Sequence, residues 1–259
     1  MDRYQTRQVA NAVTTLVVIL VNALANILPF NNQTTGQVSD RYPVLFTPAG
    51  YIFSIWSLIY LGLIAFSVYQ AMPARRDGRL LDRIGWLYVL SGVANAVWIF
   101  LWHYELLPLS ILVMFILLGS LIAIYLRLDI GRRPVPTQEF WAVHVPFSIY
   151  LGWITVATVA NAAVVLYSVD WGSFGISPQA WTIIMLAVAA VLAAATSVTR
   201  RDIAYNLVIV WAFSGIAVRQ AAHNSIAVTI SLLLVVVVLA LALSLTGARQ
   251  PAALPAPLA

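Results

Sequence analysis

Tyr150, Trp153, Ala157 and Asn161 recur at helical spacing within YLGWITVATVAN (150–161), a stretch otherwise apolar enough to cross a bilayer. An α-helix advances by about 100° per residue, so these four share one stripe. The same arithmetic aligns Tyr88, Ser91, Asn95, Trp98 and Trp102, then Phe53, Trp56, Tyr60 and Ser67, and finally Asn11, Thr15, Asn22 and Asn26. Taken singly, the amides and hydroxyls read as interhelical glue worth on the order of 0.6 kcal/mol each, and the tryptophans as packing or interface anchors. Together they read differently. An amide facing hydrocarbon without a partner is costly, so the stripes turn inward, and indoles with carboxamides on converging faces make a slot for a flat, mostly apolar ligand. The candidate lining is Phe53, Trp56, Tyr60, Asn95, Trp98, Trp102, Tyr150, Trp153, Ala157 and Asn161.

Other chemistries lack their residues. The chain has no Cys, so it holds neither a disulfide nor a thiolate metal site, and no Lys, so it forms no Schiff base. His103, His144 and His223 form no cluster with carboxylates at ligand spacing, and no metal site or required cofactor is expected. His144 is the best placed of the three to be an axial ligand of a pigment, about a turn and a half below Tyr150, although its angle sets it off that stripe. Glu105, Glu139 and Asp202 sit at the ends of apolar runs, which leaves an ion-coupling relay without members. A sterol-type pattern in LIAIYLR (121–127), with Tyr125 and Arg127, is a weak signal on the wrong helix. The usual enzymatic constellations are therefore missing from the sequence.

The elements that position these residues follow from composition. With 62% hydrophobic and 9% charged residues and a mean hydropathy of +0.91, the chain is expected to be an all-α integral membrane protein. Eight runs approach the roughly 20 residues a bilayer requires: Val9–Phe30, Ala49–Met72, Ile84–His103, Leu107–Leu126, Phe140–Leu166, Ala180–Val198, Ile203–Val218 and Ile226–Leu245. The first is too long for a signal-peptide core and is expected to be retained. If both termini are cytoplasmic, twelve of the fourteen Arg fall inside and only Arg41 and Arg219 outside. The charge of +5 is thereby a matter of topology and gives no reason to expect a nucleic-acid partner. Arg219 is expected to snorkel to headgroups. The last three runs read as scaffold, since Asn206, Trp211 and Ser214 share no face, and the Ala- and Pro-rich residues 248–259 read as a disordered tail.

YLGWITVATVAN resembles the fifth-helix pattern of the TspO/MBR family, the tryptophan-rich sensory proteins akin to the translocator protein, through Tyr150, Trp153, Ala157, Thr158 and Asn161. ANAVW (94–98) resembles the family's third-helix Asn and Trp, and FTPAGYIFSIWSLIY (46–60) its second helix, with Pro48 ahead of Trp56 and Tyr60. The resemblance covers roughly residues 1–167. It implies a five-helix bundle, here followed by three further helices at 168–247, with a pocket for tetrapyrroles such as porphyrins and haem precursors, and in some members sterols. Carried over by position, Trp56, Asn95, Trp98, Tyr150, Trp153 and Asn161 line that pocket, and Trp56 and Trp153 are the candidates for light-dependent porphyrin chemistry. The segment before the second helix departs from the family pattern in its prolines and in lacking Lys, which bears on ligand identity.

The resulting expectation is a sensor, carrier or slow photochemical catalyst for a flat hydrophobic ligand, residing in a bacterial cytoplasmic membrane, as the exclusive use of Arg among basic residues suggests. The alternatives are a structural or pigment-associated subunit of a larger membrane complex, and a small-solute transporter, which the lack of broken helices disfavours. The expected partners are the lipid bilayer, a hydrophobic small molecule, and a second copy in a homodimer or the other subunits of a membrane complex.

Overall fold

Apolar residues outnumber polar ones throughout, yet the face of the first helix that turns inward is its polar one. In a computed structural model describing residues 3–72 and 79–246, α1 (Arg3–Ile27) buries Arg7, Asn11, Thr15, Val18, Asn22 and Ala25 and exposes Val9, Val13, Leu16, Val17, Leu20 and Leu24. That inversion of the soluble pattern is what hydrocarbon surroundings select, because each buried amide finds a protein partner.

The remaining elements are α2 (Thr35–Asp40), α3 (Ile55–Ala71, led by a 3₁₀ turn Gly50–Ser54), α4 (Arg79–Ile84), α5 (Leu87–His103) and α6 (Leu107–Arg127). The short α7 (Thr137–Glu139) runs through a π turn, Phe140–His144, into α8 (Val145–Ser168), and α9 (Pro178–Arg200), α10 (Ile203–Arg219) and α11 (Asn224–Thr246) follow among the described residues. Six of these helices are long and apolar enough to cross a membrane, whereas α5 and α10 are equally apolar but only 17 residues long. At 1.5 Å per residue they rise about 26 Å, the lower bound for a span. The third apolar run is shorter than expected because Gly85, at φ +59°, breaks it and divides α4 from α5.

Five helices close a ring: α1 packs on α3 and α5, α5 on α6, α6 on α8, and α8 on α3. The C-terminal helices attach through α10, which packs on α8, α9 and α11. Gly152 of α8 permits that docking, since a Cβ there would lie 3.1 Å from Tyr205 O and Val208 Cβ of α10. At the same seam the buried Asp202 caps α10 through Tyr205 N at 3.0 Å and accepts hydrogen bonds from Tyr125 at 2.7 Å and Ser148 at 2.6 Å.

Contacts gather the arginines by end. Arg7 meets Asp82 at 2.5 Å, Arg83 reaches Arg127 O, Arg200 reaches Ile130 O, and Arg133 pairs with Glu139. Arg41 and Arg219 lie at the opposite end, paired with Glu105 and Asp40. The expected tail at 248–259, with Arg75 and Arg76, falls outside the described residues.

Candidate functional site

The aromatic stripes of α3, α5 and α8 converge at the end of the ring that carries Arg41. Phe53 comes from the 3₁₀ turn that leads into α3, Trp56 from the start of α3, Trp98 and Trp102 from α5, and Trp153, Val156, Ala157, Ala160, Asn161 and Val164 from α8. A roof made by residues 28–54 completes the slot with Thr35, Ser39, Thr47 and Pro48. The roof owes its shape to local chemistry. Asn31 and Asn32 accept positive φ, as Asn tolerates, and Thr34 with Gln37 forms a capping box at the start of α2.

Within the slot, Trp153 meets Trp56 and Phe53 edge to face, at 6.2 Å and 5.8 Å between centroids, and Trp98 stacks on Trp102 at 5.5 Å. Two of the four indole N–H groups are accounted for inside the protein. Trp98 Nε1 donates to Asn161 Oδ1 at 3.1 Å, and Trp102 Nε1 donates to Thr35 O at 3.1 Å. Trp153 Nε1 is buried and has no hydrogen-bond partner. A buried donor left unpaired is uncommon and costly; Tyr150 Oη and Asn95 Nδ2 are likewise buried without a partner.

The slot is narrow, about 40 Å³. It shares Thr35, Phe53 and Trp56 with a second hollow of about 360 Å³ between α1 and α3, lined also by Asn22, Ala23, Asn26, Ile27, Gly36, Ser57 and Tyr60. The two helices are tied at their other ends, where Asn11 donates to Gln70 at 2.8 Å and Thr15 bonds Ser67 at 2.6 Å. The larger hollow lies within the 300–1,000 Å³ common for small-molecule sites, and it is half polar where the slot is apolar.

The model of the TSPO-like protein family matches residues 8–244. The chain belongs to the TSPO-like family. The match runs through α9, α10 and α11, well past the residues 1–167 on which the motif resemblance rests. Comparison with curated proteins and with solved structures gave no match. The fold and the match together make this TSPO-like chain an integral membrane protein.

In this TSPO-like protein seven of the ten expected ligand residues line the slot: Phe53, Trp56, Trp98, Trp102, Trp153, Ala157 and Asn161. Tyr60 lines the second hollow and stacks on Trp56 at 5.7 Å. Asn95 and Tyr150 line neither. Asn95 accepts from Asn22 Nδ2 at 2.7 Å and joins α5 to α1, while Tyr150 packs beneath Trp56 at 6.1 Å. His144 lies off both hollows, buried on the π turn with Nε2 4.0 Å from Glu139 Oε1. Among the described residues no three His, Cys, Asp or Glu lie together as a metal site.

Several contributors were invisible in the sequence, above all the roof residues Thr35, Ser39 and Thr47. Glu105 anchors one flank of the roof, accepting from Arg41, from Tyr42 at 2.8 Å and from Gln33 at 3.2 Å. Burial works to raise the Glu105 carboxyl, but hydrogen bonds from Tyr42 and Gln33 and the Arg41 charge outweigh it and hold the group below the ordinary range. Burial, then the bond to Glu105, pushes the Tyr42 phenol up to about 12, so it stays a donor. Arg219 has a partner where snorkelling was expected: it pairs with Asp40 of the roof.

Proposed function

We propose that this TSPO-like protein binds a flat, largely apolar ring compound of the tetrapyrrole class, with its ring edge among the indoles and its polar substituents toward the amides of the wider hollow. The unpaired Trp153 N–H in an indole-walled slot carries this reading, since ring nitrogens, carbonyls and carboxylates all supply acceptors. Asn22, Asn26 and Ser57 supply donors and acceptors in the adjoining hollow. The reading assigns no part to His144, so the ligand is held by stacking and hydrogen bonding without axial coordination. The five-helix ring is the binding unit, the C-terminal helices support it, and the Arg-rich end faces the cytoplasm.

Titration of purified protein with protoporphyrin IX is expected to give saturable Trp quenching. Trp153→Phe, which keeps the ring and removes the N–H, should weaken binding roughly three- to tenfold, and Trp153→Leu with Asn161→Leu should remove saturable binding. Unchanged affinity in the double variant would rule the site out. Trp56 and Trp153 touch in the slot, so illumination of the complex followed by mass spectrometry of both indoles separates photochemical turnover from passive carriage.

A further inference from the structure

At about 40 Å³ the slot is far smaller than the 300–1,000 Å³ of common small-molecule sites. A flat ring can therefore enter the slot only if something in its wall moves. Three sides are formed by α3, α5 and α8, with the second hollow adjoining between α3 and α1. The fourth is the roof, a connecting segment whose Thr35, Ser39, Thr47 and Pro48 close the slot. What restrains the roof consequently controls access.

On one flank the restraint is Glu105, with His103 O accepting from Asn31 at 3.0 Å and Gln33 at 2.8 Å. The other flank is held by a single stripe of α10. Trp211, Gly215 and Arg219 are spaced four residues apart and so lie one above another on that helix. Trp211 Nε1 donates to Ile52 O at 3.2 Å, Gly215 O accepts from Ala49 N at 3.1 Å, and Arg219 pairs with Asp40 while reaching Pro48 O at 3.3 Å. The fit is close because Gly215 has no side chain: a Cβ there would lie 2.0 Å from Ile52 Cγ1.

We infer that α10 is the latch of the roof, with Trp211, Gly215 and Arg219 acting as positioning residues that set how often the slot opens. The C-terminal helices thereby acquire a role beyond support: α9 and α11 hold α10, and α10 holds the roof. Only the ligand arm of the test below rests on the proposed binding function.

The chain has no Cys, so Ser39→Cys, at a buried slot position, supplies a single thiol whose rate of maleimide modification reports roof opening without any ligand. Arg219→Ala in that background is expected to raise the rate roughly two- to fivefold, as for loss of a partly exposed ion pair. Gly215→Ala should also raise it by wedging Ile52 away. Swapping the charges, Asp40→Arg with Arg219→Asp, should return the rate toward the parent, and so should adding Ile52→Ala to Gly215→Ala. In the protein without the reporter thiol, Arg219→Ala should speed both association and dissociation of protoporphyrin IX, with a smaller change in Kd. Parent-like modification rates in both single variants overturn the latch. So do raised rates that neither rescue reverses, since they mark general loosening of the fold. If the wild type fails to bind protoporphyrin IX, the binding proposal falls and the thiol arm still decides the latch.

Discussion

At the scale of single residues, the slot distinguishes side chains that are spent on packing from those left available. Asn161 accepts from Trp98 and donates to Ser110 at 2.9 Å, and Asn95 is bonded to Asn22. Both therefore act as interhelical glue, although Asn161 also shows a face to the slot. Among the four slot indoles, Trp98 and Trp102 are hydrogen-bonded and stacked on each other and Trp56 stacks on Tyr60, whereas Trp153 has an unpaired N–H and only edge-to-face contacts. Glu105 gives a pH prediction with a definite sign. Its folded carboxyl is depressed, so the stabilisation it brings is present above the unfolded value of about 4.3 and fades as pH falls through the folded value. Thermal melts should show the wild type losing stability on acidification below about pH 4 by more than Glu105→Gln loses; equal losses would show that the roof does not depend on this carboxylate.

At the scale of elements, two seams decide how the molecule is assembled. The ring closes through polar contacts at the Arg-rich end of α1, while α10 docks through a small-residue contact and a buried carboxylate. Asp202→Ala would leave the hydroxyls of Tyr125 and Ser148 without their acceptor and α10 without its cap. The expected cost is about 1–3 kcal/mol, read as a lower melting temperature in detergent. Gly152→Leu should produce the same fall by pushing α8 and α10 apart and, if α10 latches the roof, should also speed modification of Ser39→Cys. A melting temperature matching the wild type in both variants would show that this seam contributes little.

At the scale of the whole molecule, apolar side chains, Leu, Val and Ile above all, are exposed around the helices as well as buried between them, and the buried amides share that interior. Charges gather at the two ends, and the topology they imply can be measured because any introduced Cys is unique. Tyr104→Cys, exposed at the roof end, should react with a membrane-impermeant thiol reagent added outside intact cells, whereas Thr137→Cys, exposed at the Arg-rich end, should react only after permeabilisation. The reverse pattern would invert the orientation.

The apolar runs, the inward stripes and seven of the slot residues were legible in the chain, because helical periodicity and the cost of an unpaired amide in hydrocarbon act locally and leave a periodic trace. Spacing puts Trp153 and Asn161 on one stripe and Trp56 on another, and it is the packing of α3 against α8 that brings them to one slot. The roof could not, since Thr35, Ser39 and Thr47 carry no periodic signal and owe their place to contacts with α5 and α10. Nor could the sequence assign Arg219 to Asp40, 179 positions away; that pairing, like the 2.0 Å clearance that makes Gly215 a contact point, exists only once the helices have packed and distant segments share one surface.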